Sequence, residues 1–187
     1  MFDCWMNILK RVPNSVLWLL WDNQIAEQNL KLAAKARKVR PERLVFARKL
    51  SKEDHLARMR LADLALDTRI YNGHTTTSDS LWAGIPVITL LGSHFASRVS
   101  ASVLSAIGIP ELITYDLDEY ENLAVHLASA RNELNHFRQL LMRHRKSEPL
   151  FDTARFTKNI EGAFKEMWRI YQDGKPPRQI VVTELSD

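Results

Sequence analysis

The chain has 187 residues, of which 45% are apolar and 26% are charged, with 6 Gly and 7 Pro. This globular composition excludes a collagen-like, low-complexity or largely disordered chain. The single cysteine, Cys4, excludes an intramolecular disulfide and a cysteine zinc site, and it favours a reducing, cytoplasmic location.

Short apolar runs alternate with helical patterns through the first two thirds of the chain. Trp5, Ile8 and Leu9 have the spacing of a helix that ends at Pro13. Apolar runs then predict strands at residues 16–21, 44–47, 64–67, 86–90 and 112–114. The segments between them predict helices at residues 23–39, 51–62, 76–84 and 97–107.

This alternation predicts an α/β fold, a Rossmann-like parallel sheet with helices on both faces. A doubly wound domain normally starts with a strand, and no strand precedes the opening helix of this sequence. We therefore expect the sheet to lack its first strand and the loop that follows it.

The last third of the chain is helical. Residues 117–130, 133–145 and 152–171 predict three helices, and the third has a strongly amphipathic pattern that favours a helix covering the core. Its apolar positions are Phe156, Ile160, Phe164, Met167, Trp168 and Tyr171. Because Gly174, Pro176 and Pro177 follow, we expect residues 1–174 to form one lobe and residues 175–187 a loose tail.

A polar segment at residues 67–79 joins the end of a predicted strand to the start of a helix. Its Gly73 allows close approach of a ligand, and the following threonines add hydroxyl donors next to unpaired N–H groups at the helix start. This combination suits a phosphate, although it matches neither the Walker nor the dinucleotide glycine pattern. The alternative is plain capping, in which Thr76 caps the helix and Asp79 completes a capping box; Asp79 could also accept from ribose hydroxyls.

A second polar segment lies at the next junction, residues 50–58. Lys52, His55 and Arg58 are three residues apart, so they share one flank of a helix that opens with a capping box at residues 51–54. Lys52 could meet a pyrophosphate, His55 could stack on a base, and Arg58 could donate to base carbonyls. The alternative is an ordinary solvated helix face.

Other features narrow the possible partners. The net charge of +4 suits a phosphate-bearing ligand without demonstrating one.

The longest apolar run has six residues and the N-terminus has no basic start of a signal peptide, so we expect no membrane contact. Residues 31–60 carry eleven Lys or Arg against three acids, but Phe46 is their one aromatic residue and lies on a predicted buried strand, so we expect no nucleic acid partner. The histidines show no metal-ligand spacing.

Several runs together resemble the C-terminal catalytic half of the O-linked N-acetylglucosamine transferases, glycosyltransferase family 41, which includes the SPINDLY-type proteins. The resemblance extends to about Gly174, and the runs that carry it are residues 5–20, 66–67, 72–76, 81–84, 96–99, 149–151 and 167–168. It implies the C-terminal lobe of a GT-B fold, which binds a nucleotide-sugar donor.

The resemblance also implies roles for individual residues. Lys52 would contact the pyrophosphate and stabilise the leaving group, and the donor would be held by Leu50, Lys52, His55, Arg58, Asn72, Gly73, His74, Thr75, Thr76 and Asp79. In this assignment His55, Arg58 and the backbone near Leu50 hold the uracil, and Asp79 binds the ribose. The implied reaction is an inverting, metal-independent transfer of sugar to protein Ser or Thr, without a cofactor. UDP-N-acetylglucosamine is the implied donor, and GDP-fucose is the alternative that SPINDLY-type members use.

The family's N-terminal catalytic lobe, its general base and its TPR repeats have no counterpart in this sequence. We therefore expect the chain to be inactive without the missing lobe and TPR repeats of a parent protein. The alternative is a non-catalytic truncated lobe, an interaction module that pairs through residues 152–171 and an exposed sheet edge. Either reading allows self-association through exposed apolar surface.

Overall fold

All strand pairings in the computed structural model, which describes residues 1–182, are parallel. The strands are β1 (Leu17–Leu20), β2 (Leu44–Ala47), β3 (Ala65–Leu66), β4 (Val87–Leu90) and β5 (Ile113–Thr114). β1 pairs with β2, so that Leu17 lies opposite Leu44, and a separate group has the order β3-β4-β5. Each predicted strand is present, although β3 has shrunk to two residues.

Helices connect consecutive strands and continue after the last one. The α-helices of the described residues are α1 (Phe2–Arg11), α2 (Gln24–Ala36), α3 (Lys52–Met59), α4 (Thr75–Trp82), α5 (Val99–Ala106), α6 (Leu117–Ser129), α7 (Arg131–His144) and α8 (Thr153–Gln172). Short 3₁₀ helices lie at Pro41–Arg43, Phe95–Ser97, Pro110–Leu112 and Pro149–Phe151. No helix within residues 1–182 is long and apolar enough to cross a membrane.

Local sequence signals explain where several of these helices begin and end. Asn23 caps α2 by accepting a hydrogen bond from the N–H of Ala26, at 2.8 Å. The chain leaves α4 and α5 through Gly84 and Gly108, whose φ angles of 84° and 71° lie in the left-handed region that glycine adopts without strain. α3 ends at Met59, three residues before the predicted end.

The main hydrophobic core surrounds β4. All four of its residues are buried, and the fully buried Ile88, Leu104 and Leu127 come from β4, α5 and α6. A smaller core lies between α1, α2 and β2, and its buried members are Met6, Leu9, Ala34, Val39 and Leu44. The β3-β4-β5 group is therefore covered on both faces, as a doubly wound sheet requires.

A cavity of about 890 Å³ separates β1 from β3, and we call it the slot. β1 and β3 line it, together with residues of α1, α3, α6 and α7. A doubly wound sheet has its first strand between the strands that correspond here to β1 and β3. The sheet edge that the sequence predicts to be exposed therefore lies at the slot, between β1 and β3.

The expectation for the amphipathic C-terminal helix is wrong. In α8 only Ile170 is buried, while the predicted core positions are exposed: Phe156, Ile160, Phe164, Met167, Trp168 and Tyr171. The physical reason is that periodicity reveals an apolar face but not whether another surface covers it.

Beyond α8, residues 178–182 lie beside the helix and border a second cavity of about 520 Å³. Arg178 forms an ion pair with Glu166 at 3.0 Å. The predicted loose tail, residues 175–187, extends past the described residues, since 183–187 lie outside them.

Candidate functional site

The loop between β3 and α4, residues 67–74, is held in place by the buried carboxylate of Asp67. One Asp67 oxygen accepts a hydrogen bond from the N–H of Gly73, and the other accepts from the hydroxyl of Thr89, both at 2.7 Å. The Tyr120 hydroxyl donates to the Asp67 carbonyl at 2.8 Å. Burial raises the pKa of Tyr120 well above its usual range, so this donor keeps its proton. The loop is thereby fixed to β4 and α6.

Gly73 lies at the tightest point of this loop. A Cβ at this position would come within 2.5 Å of the hydroxyl oxygens of both Thr76 and Thr77. The carbonyl of Gly73 accepts from the hydroxyls of Thr77 and Ser100, each at 2.9 Å. No side chain larger than a hydrogen fits without displacing the start of α4.

The predicted capping box at Thr76 is wrong. α4 begins one residue earlier, at Thr75, with His74 as N-cap and no side-chain cap. Thr76 is inside the first turn, and Asp79 points to Lys52 instead of to the helix start. The structure thus leaves the first turn of α4 without a carboxylate, which keeps this helix terminus attractive to an anion.

The second junction, at the start of α3, has the geometry predicted for it. Ser51 caps α3 by accepting from the N–H of Asp54, at 3.2 Å. Lys52 in the first turn forms an ion pair with Asp79 of α4. Because this pair joins the two helices, the two predicted segments face each other. Lys52 is half exposed and Asp79 largely buried, so the pair lies at the surface of the crevice.

His55 and Arg58 lie together on the side of α3 that borders the slot. An Arg58 guanidinium nitrogen lies 3.3 Å from Nδ1 of His55, and another donates to the Arg48 carbonyl at 2.9 Å. The Arg58 guanidinium also stacks over the Trp18 ring, at 5.3 Å. Leu50, just before α3, is exposed. These contacts of Arg58 hold the side chains of His55 and Arg58 in one orientation.

The remaining predicted residues belong to the loop, and two of them have unsatisfied buried atoms. Asn72 is buried, donating from its side chain to the Thr68 carbonyl at 3.0 Å and from its backbone to the Ala96 carbonyl at 2.8 Å. Its Oδ1 has no hydrogen-bond partner, and neither does Nε2 of His74. Unpaired buried polar atoms of this kind are uncommon in folded proteins, and the described residues have three more, at Trp5, Arg58 and Arg138.

Aromatic side chains at the mouth of the loop were missed from the sequence. Tyr71 stacks on His74 with ring centroids 5.2 Å apart, and Phe95 meets His74 edge-on at 5.9 Å. Both Tyr71 and Phe95 are exposed. Ile70, with a φ of 78°, has a backbone conformation that is strained for a β-branched residue. A strained, aromatic loop next to a helix terminus is a pattern that functional sites favour.

The positioning residues Asp67, Thr77 and Ser100 were also missed. Asp67 could have been found, because it ends a predicted strand and starts the polar segment. Ser100 could not, because it lies 27 positions from the carbonyl it contacts, on another helix.

Comparison with known proteins identifies the family. The family model described as Glycosyl transferase family 41 matches residues 1–160. The chain belongs to this family. An Arabidopsis thaliana protein named as a probable UDP-N-acetylglucosamine–peptide N-acetylglucosaminyltransferase, SEC, is 42% identical over 183 residues, which are 97% of this chain and 19% of the relative. A Caenorhabditis elegans UDP-N-acetylglucosamine–peptide N-acetylglucosaminyltransferase is 38% identical over 93% of this chain and 15% of its own length.

A similar SPINDLY protein and a solved structure extend the comparison. The Petunia hybrida protein named as a probable transferase SPINDLY is 41% identical over 68% of this chain and 14% of its own length. The solved structure of a Thermobaculum terrenum O-GlcNAc transferase mutant matches with a TM-score of 0.86 and 34% identity, over 90% of this chain and 33% of that one. The predicted Rossmann-like lobe of a GT-B glycosyltransferase is therefore confirmed, and this family member spans a third or less of each of these relatives.

Proposed function

We propose that this chain is the donor-binding half of a protein O-glycosyltransferase that uses UDP-N-acetylglucosamine. The relatives named above are enzymes that act on peptides with this donor class, which supports a nucleotide-sugar donor and a protein Ser or Thr acceptor. The observation that carries the proposal is the ion pair between Lys52 and Asp79. It joins two strand-to-helix junctions into one crevice, where doubly wound proteins bind ligands.

Different residues of the crevice bind different parts of the donor. Lys52 and the uncapped first turn of α4, with the hydroxyls of Thr75 and Thr76, receive the diphosphate. His55, Arg58 and the backbone at Leu50 hold the uracil, and Asp79 accepts from the ribose. Asn72, Gly73 and His74 shape the side of the crevice that faces the sugar. In the free protein Asp79 neutralises Lys52, so the arriving phosphate competes for a lysine that is already positioned.

In the proposed reaction, this half of the enzyme binds the donor and stabilises the charge on the leaving group. The acceptor hydroxyl attacks the anomeric carbon, the bond from that carbon to the diphosphate oxygen breaks, and the configuration inverts. Negative charge grows on the leaving diphosphate, where Lys52 and the α4 terminus stabilise it without a metal or cofactor. The hydroxyl proton passes to a general base outside this chain, in an N-terminal lobe that would accompany TPR repeats in the parent protein. The isolated half is then inactive, and its expected location is the cytoplasm.

Calorimetry on the purified chain tests the proposal directly. We expect UDP and UDP-N-acetylglucosamine to bind more tightly than GDP or GDP-fucose. Lys52→Met should weaken UDP binding by about 10- to 100-fold, because a charge-assisted contact is lost. Lys49→Met is the matched control, since Lys49 is exposed and carries the same charge three residues away; it should change binding by no more than about twofold. A folded sample that binds none of these nucleotides contradicts the proposal, and so does an equal loss in the two variants.

The exposed apolar face of α8 favours a second candidate, a non-catalytic lobe that acts as an interaction module. This candidate predicts self-association or partner binding without nucleotide affinity. Sedimentation and calorimetry together separate the two: a monomer that binds UDP supports the donor-binding half, and an oligomer without nucleotide affinity supports the module.

A further inference from the structure

One face of α2 has the residue spacing of a coiled-coil seam. Ile25, Asn29, Leu32 and Ala36 follow one another at intervals of four, three and four residues, which is the spacing of the inner positions of two paired helices. At 3.6 residues per turn, these side chains lie within an arc of about 60°. We call these four residues the α2 seam.

The α2 seam faces solvent, while the other side of the helix packs on the protein. Ile25 and Leu32 are 71% and 65% exposed, and Asn29 and Ala36 are exposed as well. On the opposite side, Ala34 is completely buried in the smaller core. The inner side of α2 therefore holds the helix to the protein, and the two large aliphatic side chains of the α2 seam remain largely uncovered within residues 1–182.

The end of α2 and the turn after it are rich in positive charge. Residues 28–41 contain no acid, and their cations are Lys31, Lys35, Arg37, Lys38 and Arg40. Two of these have an acidic partner: Lys31 pairs with Glu27 of the same helix at 2.6 Å, and Arg37 pairs with Asp3 of α1.

The other three cations are not neutralised by the part of the chain that the structure describes. Lys35, Lys38 and Arg40 are exposed and form no ion pair with residues 1–182. Burial lowers the pKa of Arg43, and the nearby charge of Arg40 lowers it further, which is the effect of an excess of positive charge. This surface therefore attracts a partner that brings carboxylates.

Shape and charge together favour one kind of occupant. A narrow seam suits a single facing helix, whereas a helix that lies in a membrane surface needs a broader apolar face. The cations beside the α2 seam suit acidic side chains at the flanking positions of the facing helix. A second copy of α2 is a poorer match, because its only acid, Glu27, already pairs with Lys31.

We propose that the α2 seam is the docking site of an acidic amphipathic helix of another protein. That helix lies along α2, its apolar positions pack against Ile25 and Leu32, and its carboxylates pair with Lys35 and the cations that follow it. Asn29 fixes the register, because a polar group inside a seam requires a polar partner. α2 is about 20 Å long, so the contact is small and transient, with a Kd of roughly 10–100 μM. The α2 seam includes none of the residues proposed to bind the donor, so the proposal does not depend on the nucleotide.

A designed peptide tests the proposal on the full chain. The acidic peptide has three heptads with Leu or Ile at the inner positions, one Asn among them, and Glu at both flanking positions, so that repulsion keeps it from pairing with itself. The lysine peptide is identical except that Lys replaces these Glu residues. Calorimetry gives the affinities, and NMR shows which backbone amides of the chain shift. We expect the acidic peptide to shift the amides of α2, and the lysine peptide to bind at least about tenfold more weakly.

Single substitutions locate the site. Leu32→Gln removes a central apolar contact and Lys35→Glu reverses a charge, so each should weaken binding of the acidic peptide by at least about tenfold. Phe164→Gln on α8 and Lys146→Glu after α7 are the matched controls, since Phe164 is 59% exposed and Lys146 is exposed. Each control should change the affinity by no more than about twofold. Because all four side chains are exposed, the variants should keep the stability of the wild-type chain in urea.

Several outcomes overturn the proposal. The first is no binding of the acidic peptide at roughly millimolar concentration. Equal affinities for the two peptides, or equal losses in Leu32→Gln and Phe164→Gln, contradict it as well. A dimer in sedimentation that Leu32→Gln dissociates makes a second copy the occupant. Vesicles containing phosphatidylserine that bind the wild-type chain but not Leu32→Gln, when the acidic peptide does not bind, make it a lipid surface.

Discussion

The two strand groups of this lobe are built from similar sequence but differ in how completely they are covered. Every residue of β4 is buried, because strands flank it on both sides and helices cover both faces. β1 is just as apolar, yet Leu20 is 61% exposed and the other β1 residues are only partly buried. An apolar run therefore specifies a strand that can be buried, whereas the neighbouring elements decide whether it is buried.

The candidate site follows the same division. The loop at residues 67–74, which we propose to face the sugar, belongs to the complete group, where Asp67, Thr89 and Tyr120 fix it by hydrogen bonds. His55 and Arg58, which we propose to hold the base, border the slot. We therefore expect the loop at residues 67–74 to be rigid in the isolated chain and the side of the site formed by His55 and Arg58 to be less constrained.

The largest expected effect is a difference in stability between two variants, each with one strand side chain truncated, in β4 and in β1. Ile88→Ala removes a fully buried side chain and leaves a cavity, so we expect a loss of about 2–5 kcal/mol in the free energy of unfolding. Leu20→Ala removes an exposed side chain, and we expect a loss below about 1 kcal/mol. Urea denaturation measures both values. Equal losses in the two variants would mean that β1 is already covered in solution.

Gly73→Ala should distort the loop at residues 67–74 and weaken donor binding. The added methyl group would lie within 2.5 Å of two hydroxyl oxygens and must displace the start of α4, so we expect UDP binding to weaken by at least about 100-fold, or about 2.7 kcal/mol. Gly162→Ala is the matched control, since a Cβ there meets only a side-chain atom of Val182 at 3.7 Å. In the interior of α8 that change should leave binding unaltered and stabilise the helix by about 0.5–1 kcal/mol. Wild-type affinity in Gly73→Ala would show that this loop does not contact the donor.

Asp67→Asn tests whether the loop is held by the carboxylate. The amide oxygen can still accept from the Gly73 N–H, but the amide nitrogen cannot accept from the Thr89 hydroxyl, whose buried proton then loses its partner. We expect a loss of about 1–3 kcal/mol in unfolding free energy. Because the loop then loosens, UDP binding should weaken as well. Asp63→Asn is the control on the same chain segment, since Asp63 forms an exposed ion pair with Arg131 and should change stability by less than about 1 kcal/mol. Unchanged binding with reduced stability would separate Asp67 from the site.

Much of the fold could be predicted from the sequence because it depends on local patterns. The apolar runs placed all the strands, and the three-residue spacing correctly placed His55 and Arg58 side by side on α3. The segment at residues 67–79 was recognisable as a candidate phosphate-binding segment from its glycine and threonines. These features are encoded within a few consecutive residues, which is the range that periodicity and capping signals report.

What the sequence did not predict depends on contacts between distant residues. Asp79 could complete a capping box on spacing alone, but Lys52 of another helix attracts it. The apolar face of α8 indicated a buried helix, but none of the described surface covers it. Ser100 contributes to the loop from a neighbouring helix, and no local motif marks it.

The smallest predicted effect is a pH dependence of the free energy of unfolding that arises from Cys4. This residue of α1 packs into the main core. Burial, assisted by the charge of Glu121, raises the pKa of the Cys4 thiol from 9.0 to about 11. The folded state therefore holds this proton more firmly than the unfolded state, so its contribution is complete below pH 9 and is lost as the pH rises towards 11. We expect a decline of about 1–2 kcal/mol across this window, measured by urea denaturation. Cys4→Ala should flatten the decline by that amount while leaving the separate contribution of Tyr120, whose raised pKa acts in the same direction. An identical decline in both proteins would show that the thiol is already accessible to solvent and that α1 packs loosely against the core.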